Sequence, residues 1–418
     1  MGTLWKIALR NTLRHKRRTM ITAAVMMVGV GAFVAFDSML AGMDRMAIDN
    51  MEAYTVSSIK ARNPAYVDDI AAAPLDKSLG DPKATLAAFA AAGFPATPRV
   101  RFVARLSNYE DEIPVMADGV DPVLDRGVFR TGDSVVAGKW LSDSTPKTVV
   151  LGSALAKELR LKVGDSVVVS AQTLGDATNA DEYLVAGIVS TPAPEINMVG
   201  LFMGLADVSA LLDAPGIVTE VDGALPRAAS LGAALASGDA AASKLRKALP
   251  GTRIDPISSL ASDYLGIRAA KAKNAYVIML VVLLIAAVGI VNTILMSVYS
   301  RVREIGVLRA YGMTPKDITR LFTLEGLIIG LIGSGLGVAF GALLDLWIIA
   351  GGINLDAILG NNSNMMGNIP IAGVMRGEWN PGAMVVGFVF SLLAALLAAR
   401  VPARKAARLE PTEALRFV

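Results

Sequence analysis

The chain has 418 residues, 53% of them apolar and only 18% charged, with a mean hydropathy of +0.51. Soluble domains carry about a quarter charged residues, and disordered chains combine high charge with low hydrophobicity, so both classes are excluded. The absence of cysteine and the presence of a single histidine, His15, exclude disulfides, thiolate metal sites, a cysteine nucleophile and a Ser-His-Asp triad, and a net charge of +3 does not by itself point to nucleic acid.

Residues 1–18 form a basic cytoplasmic or interfacial segment with Lys6, Arg10, Arg14, Lys16, Arg17 and Arg18 and no acidic residue. Such a run sets membrane topology and meets anionic headgroups. Leu4, Ile7, Ala8 and Leu13 approximate one helical face, which fits a short interfacial helix; an unstructured basic arm fits nearly as well. The first transmembrane helix is expected over residues 19–42. Thr19 to Phe36 reads TMITAAVMMVGVGAFVAF, 18 residues without a charge. This run is longer than the apolar core of a cleaved leader, and no small-x-small cleavage site follows, so it reads as a retained anchor. Just past it, Met39, Leu40, Met43 and Met46, with Met51 beyond, are candidates to contact an acyl chain. Methionine adapts to irregular apolar partners, and ordinary helix packing is the alternative use of the same property.

Residues 43–270 are long enough to bury their own core. A helix is expected over residues 82–92, strands over 99–106 and 113–120 flanking NYEDE, and a strand–helix–turn–strand run in VVLGSALAKELRLKVGDSVVVSAQ. A further strand is expected at 184–189, a short helix at 205–214 and an Ala-rich helix over 228–249. The class is α+β. Glu110, Asp111 and Glu112 lack the spacing of a cation loop and read as a solvated turn. Gly138-Lys139-Trp140 is not a phosphate loop, because Asp133 stands where the first glycine would be and Trp140 replaces the hydroxyl residue. The chain is therefore not expected to hydrolyse ATP, to bind a metal or to hold a cofactor of its own. Residues 37–274 carry 23 Lys+Arg against 29 Asp+Glu, close to the charge content of an ordinary soluble domain.

Three further transmembrane helices are expected, at 274–300, 326–344 and 381–400, each with an uncharged apolar run of 19 to 25 residues. The connecting segment 301–325 holds Arg301, Arg303, Arg309, Lys316 and Arg320, and the tail 401–418, with Arg400 just before it, adds Arg404, Lys405, Arg408 and Arg416. The loop 345–380 has one basic residue, Arg376, against Asp345, Asp356 and Glu378. Four crossings put all the basic ends on the cytoplasmic side, with both termini inside and the large domain outside. The architecture expected is an α+β membrane protein with four transmembrane helices and a large periplasmic domain inserted between the first two.

Within SRVREIGVLRAYGMTPKDITRLFTLEG, Ile305, Leu308 and Tyr311 follow one helical face, Gly312 is a stop, and Thr314, Pro315 and Asp317 start a second helix. A short amphipathic helix of this kind suits a groove on a partner; an inert connector lying on lipid is the other reading. In the third span, Gly326, Gly330, Gly333, Gly337 and Gly341 recur at small-residue spacing and permit close helix approach, within the chain or between protomers. Asn292 and Thr293 are candidates for hydrogen bonds between helices.

The stretch VREIGVLRAYGMTPKDITRLFTLEGLIIGLIGSGLGVAFG resembles the signature of FtsX-like, MacB-type ABC transporter permeases. So do ALRNTLRHKRRTMITAAVMMVGVGAF at the start, PARKAARLEPTEALRF at the end, and LGSALAKELRLKVGDSV and GIVSTPAPEINMVGLFMGLADVSALL in the middle. The lipoprotein-releasing LolC/LolE subunits within that family are the nearest in kind. The resemblance implies a type VII ABC transporter in which two permease protomers, identical or related, work with two cytoplasmic ATPase subunits that carry ATP and Mg. It makes the segment from about Arg303 to Gly312 the coupling helix. Arg303, Glu304 and Arg309 are then candidates for charged contacts to the ATPase, and Ile305, Val307 and Leu308 for filling its groove. Glu325 matches a family glutamate, and a local structural pairing is expected of it. The family's outer domain has two subdomains, the inserted one placed here near residues 130–195.

Three functions follow as expectations. The first is release of lipoprotein cargo from the inner membrane to a periplasmic carrier protein. The second is efflux through a tripartite channel, and the third is transmembrane signalling to periplasmic hydrolases. Membrane lipid is an expected partner and nucleic acid is not.

Overall fold

The computed structural model describes residues 2–14, 16–67, 73–355, 357 and 373–407. The chain forms two compact units, one of Met1–Met43, Arg268–Ile353 and Arg376–Val418, the other of Asp44–Ile267 and Asn354–Met375. The principal helices in chain order are α1 (Gly2–Arg14), α2 (Lys16–Tyr54), α3 (Pro82–Ala92), α4 (Ser153–Glu158), α5 (Pro194–Val199) and α6 (Leu205–Leu211). They continue with α7 (Leu231–Ala248), α8 (Ser262–Tyr299), α9 (Val302–Ala310), α10 (Pro315–Gly351) and α11 (Pro381–Ala407). His15, the segment 68–72, Asp356, the segment 358–372 and the tail from Arg408 to Val418 lie outside the described residues.

Three helical segments among the described residues are long and apolar enough to cross a bilayer: Thr19–Tyr54, Pro315–Gly351 and Pro381–Lys405. The segment expected as the second span lies inside α8, a continuous helix of 38 residues, whose described apolar stretch is the shorter Ala287–Tyr299. The helices outrun their apolar cores. No glycine or proline interrupts α2 between Met43 and Tyr54, and Arg45 pairs with Asp49 at 2.9 Å one turn on, so the helix persists into polar sequence. The basic N-terminal segment is helical too, and Ala8 of α1 is buried with Leu321 and Ile328 of α10.

The glycines of α10 face two different helices. A Cβ on Gly326 would strike the Ala399 methyl, and one on Gly330 would stand 2.7 Å from that of Ala395, both on α11. Cβ atoms on Gly333, Gly337 and Gly341 would stand 2.7–2.8 Å from Met26, Val30 and Val34 of α2. Close approach of this kind replaces the hydrophobic drive that lipid cannot supply.

The large sheet of the second unit has ten strands among the described residues: β1 (Ile59–Arg62), β2 (Ala96–Ser107), β3 (Glu112–Val120), β4 (Val135–Gly138), β5 (Thr148–Gly152), β6 (Ser166–Gln172), β7 (Thr178–Val189), β8 (Gly200–Gly204), β9 (Glu220–Gly223) and β10 (Arg253–Pro256). Four of them, in the order β10-β1-β9-β2, form an antiparallel sheet. With α3 and α7 they make a split β-α-β arrangement. Phe89 of α3 and Leu245 of α7 pack on one face of this sheet with Ile59, Val221 and Ile254. The other face carries charge: Lys60 and Arg62 on β1, Glu220 and Asp222 on β9, and Arg99 on β2, all buried.

Between β2 and β9 the chain makes a closed barrel, β2-β3-β8-β5-β7-β6 and back to β2. Val100, Phe102, Ala104 and Leu106 alternate inward along β2, and Val167, Val169, Tyr183, Val185 and Leu201 complete the interior. Closure removes the strand edges that would otherwise invite foreign pairing. The barrel strands run from β2 to the end of β8 at Gly204, wider than the 130–195 expected for an inserted subdomain. The single strand β2 belongs to both halves. Its first residues pair with β9 and its last with β6.

Locally the expectations fare well. α3 starts at a cap in which the Asp81 carboxylate accepts from the Ala84 N–H, and it ends at Gly93 with φ +83°. β7 begins at Thr178, six residues before the apolar run at 184–189, because the polar stretch pairs with β6. The Glu110-Asp111 turn is exposed, and both backbone N–H groups donate to the Asn108 side chain.

Candidate functional site

The turn that follows the short helix α9 is fixed on both sides. The helix exit places Gly312 at φ +94°, a left-handed conformation that disfavours a side chain. The next helix restarts on a capping box in which Thr314 and Asp317 satisfy each other's backbone N–H groups, with Pro315 in the first turn. The orientation of α9 is thus held by backbone geometry at one end of the turn and hydrogen bonds at the other.

The expected coupling residues divide between two faces. Arg303, Glu304 and Val307 are exposed. Leu308 and Arg309 are half-buried, and Arg309 Nη1 donates to the Ala407 carbonyl at 3.5 Å. Ile305, expected to fill a partner's groove, is 3% exposed and packs in the chain's own core with Ile318, Phe322, Ala403 and Ala407. The outward apolar surface comes instead from Val307, 40% exposed, and Tyr311, 88% exposed. Tyr311 was placed with Ile305 by periodicity. Six residues turn a helix by about 240° beyond a full circle, so Tyr311, the C-cap whose N–H still donates to the Val307 carbonyl, faces away from Ile305.

Behind α9 lies a buried polar cluster. Glu325 of α10 is 4% exposed. Its Oε1 accepts from Asn11 Nδ2 at 2.9 Å and from Arg301 Nη1 at 3.2 Å, and its Oε2 accepts from Ser297 Oγ at 3.4 Å. One carboxylate therefore ties together α1, the end of α8, the residue that opens α9, and α10. A buried ion pair persists when further hydrogen bonds occupy its remaining lone pairs, as they do here. The sequence singled out Glu325, counted Arg301 only towards the basic bias of its loop, and gave no signal for Asn11. Thr293 meets Thr22 of α2 across helices at 2.5 Å, whereas Asn292 is exposed.

Met39, Leu40, Met43 and Met46 are half-buried along α2. Met39, Met43 and Met46 follow i, i+4, i+7 and share one face of that helix.

Long apolar helices, a short helix held rigidly between two of them, and a two-part α+β unit inserted after the first define a membrane permease subunit. Residues 19–249 match the family description MacB-like periplasmic core domain, and residues 276–411 match FtsX-like permease C-terminal. The chain belongs to this family of ABC transporter permeases. It is 24% identical over 340 residues to the lipoprotein-releasing system transmembrane protein LolC of Neisseria meningitidis, covering 77% of this chain and 78% of that one. It is 24% identical to the uncharacterized ABC transporter permease MJ1507 of Methanocaldococcus jannaschii, over 70% of this chain and 68% of that one. It is also 34% identical to the macrolide export ATP-binding/permease protein MacB of Shewanella oneidensis, over 32% of this chain and 17% of that one. The periplasmic region of MacB from Actinobacillus actinomycetemcomitans aligns with 52% of this chain and 97% of that structure, at a TM-score of 0.35 and 10% identity.

Proposed function

We propose that this permease subunit uses ATP hydrolysis on a separate pair of ATPase subunits, which carry the ATP and Mg, to release lipoproteins from the inner membrane to a periplasmic carrier. The observation that carries the reading is the reach of the similarity to LolC, which spans 77% of this chain and 78% of that relative, against 32% and 17% for MacB. In this reading the chain crosses the membrane four times, α8 supplying the second crossing. Both termini are cytoplasmic and the strand-rich unit is periplasmic. A second permease protomer completes the transporter.

In this reading coupling to the ATPase runs through α9. Val307 and Tyr311 enter a groove of the ATPase, with Arg303 and Glu304 making charged contacts at its rim. Motion of α9 passes to α10 and α1 through Arg301, Glu325 and Asn11 rather than through a flexible linker. A second reading, efflux of a small molecule or peptide, draws on the 34% identity to MacB over its shorter match.

The deciding experiment is crosslinking from the outer unit in native membranes, followed by identification of the captured cargo. Acylated protein enriched above an ATP-trapped control supports lipoprotein release. Capture of a membrane-fusion adaptor without acylated protein supports efflux.

A further inference from the structure

The charged face of the β10-β1-β9-β2 sheet floors a cavity of about 990 Å³, built wholly from residues between Met51 and Ile267 of the strand-rich unit. Its size is at the upper end of small-molecule sites. Most cations on that face are tightly paired. Lys60 Nζ lies 2.6 Å from Glu220 and 3.3 Å from Asp222, Arg62 lies 2.8 Å from Asp255, and Arg99 lies 2.8 Å from Asp125.

Arg101 differs. Its ion pairs are long, 3.8 Å to Asp118 and 3.4 Å to Glu195, and its side chain keeps 26% exposure where it lines the cavity. Five N–H donors in a planar fork thus reach the cavity with only long ion pairs to Asp118 and Glu195, the Glu220 carboxylate adding its field from the sheet, and Glu195 is half-exposed at 51%. A bidentate anion offers such a fork better geometry than either. The lining also holds apolar side chains, Met51 and Val56 at the end of α2, Leu260 and Ile267 around the start of α8, and Met116 on β3, interspersed with Ser259, Ser262 and Asp263. Ile267 stays 47% exposed, so this lining has surface left to cover.

We propose that this cavity binds a single-chain anionic amphiphile, with its head group on Arg101 and its hydrocarbon along Met51, Val56, Met116, Leu260 and Ile267. Glu195 is the displaceable counterion that the head group replaces. The site lies inside one unit and is independent of which cargo the transporter moves.

The test is saturation binding of tritiated dodecanoate to the immobilised, detergent-solubilised full chain, with neutral dodecanol and dodecyl phosphate as competitors. Saturable binding is expected, weakened about tenfold in Arg101→Gln and tightened about threefold in Glu195→Gln, because one variant removes the anchor and the other its competitor. Dodecanol is expected to compete poorly and dodecyl phosphate to compete well, because the guanidinium fork takes either oxyanion. Equal affinity in wild type and both variants, or equal competition by dodecanol, overturns the proposal in favour of apolar adsorption. If Arg101→Gln does not fold, Glu195→Gln decides alone, since it alters a half-exposed side chain.

Discussion

At the scale of single residues, two buried charges make predictions of different kinds. Arg301→Ala leaves Glu325 inside the protein with Asn11 and Ser297 but no cation. Removing one member of a buried pair costs about 3–5 kcal/mol, so this variant should melt well below wild type in detergent. A wild-type melting temperature would show that the pair does not hold the helices. Asp222, beside Glu220 and Lys60, adds a prediction in pH. Burial pushes its carboxyl from 3.8 up to about 6, against the pull of Lys60. The folded chain therefore holds a proton that the unfolded chain releases as pH rises across that interval. This contribution is fully present below pH 3.8 and lost by about pH 6, so stability falls through the window. Asp222→Asn should flatten that part of the curve of thermal midpoint against pH. A structural pairing of Glu325 was legible in the sequence, but its partners were not, and Asp222 gave no signal at all. Glu325 meets Arg301 across 24 positions and Asn11 across 314, and no local pattern reports contacts at such range.

At the scale of elements, the glycine spacing in α10 was legible, but its division between α2 and α11 was not. Spacing fixes which residues share a stripe; only the packed helices decide what each part of the stripe meets. Gly337→Leu should wedge α10 from Val30 of α2 and sharply reduce the yield of folded protein by size-exclusion profile. Gly335→Leu, where an added Cβ meets nothing within 4 Å, should leave that profile unchanged. Thr314→Ala removes the capping box that opens α10 and should cost about 1 kcal/mol, read as a small drop in melting temperature. α3 was found to the residue because Asp81, Pro82 and Gly93 punctuate it. The barrel was not, because its closure rests on β2 pairing with β6 some 60 positions away, and alternation along a strand does not name its neighbour.

At the scale of the whole molecule, the lack of cysteine makes topology directly measurable. Tyr311→Cys and Ser144→Cys should react with a membrane-impermeant maleimide from opposite sides of sealed membranes, the first from the cytoplasmic side. Labelling of both from one side would break the four-crossing arrangement. The class and the apolar segments could be read from hydropathy because the bilayer constrains composition over about 20 residues at a time.

The strand register carries a mechanical corollary. The chain leaves α2 to enter β1 at Ile59, and it leaves β10 at Pro256 on the way to α8; these two residues are direct partners in the ladder. Both attachment points thus sit at the same end of one antiparallel pair. Tension that separates α2 from α8 at their sheet-proximal ends would peel β1 from β10 one hydrogen bond at a time, the loading mode in which a ladder is weakest. Tension shared by both helices leaves that ladder unstressed. That register makes the β1–β10 ladder indifferent to displacement common to its two connections and sensitive to their divergence.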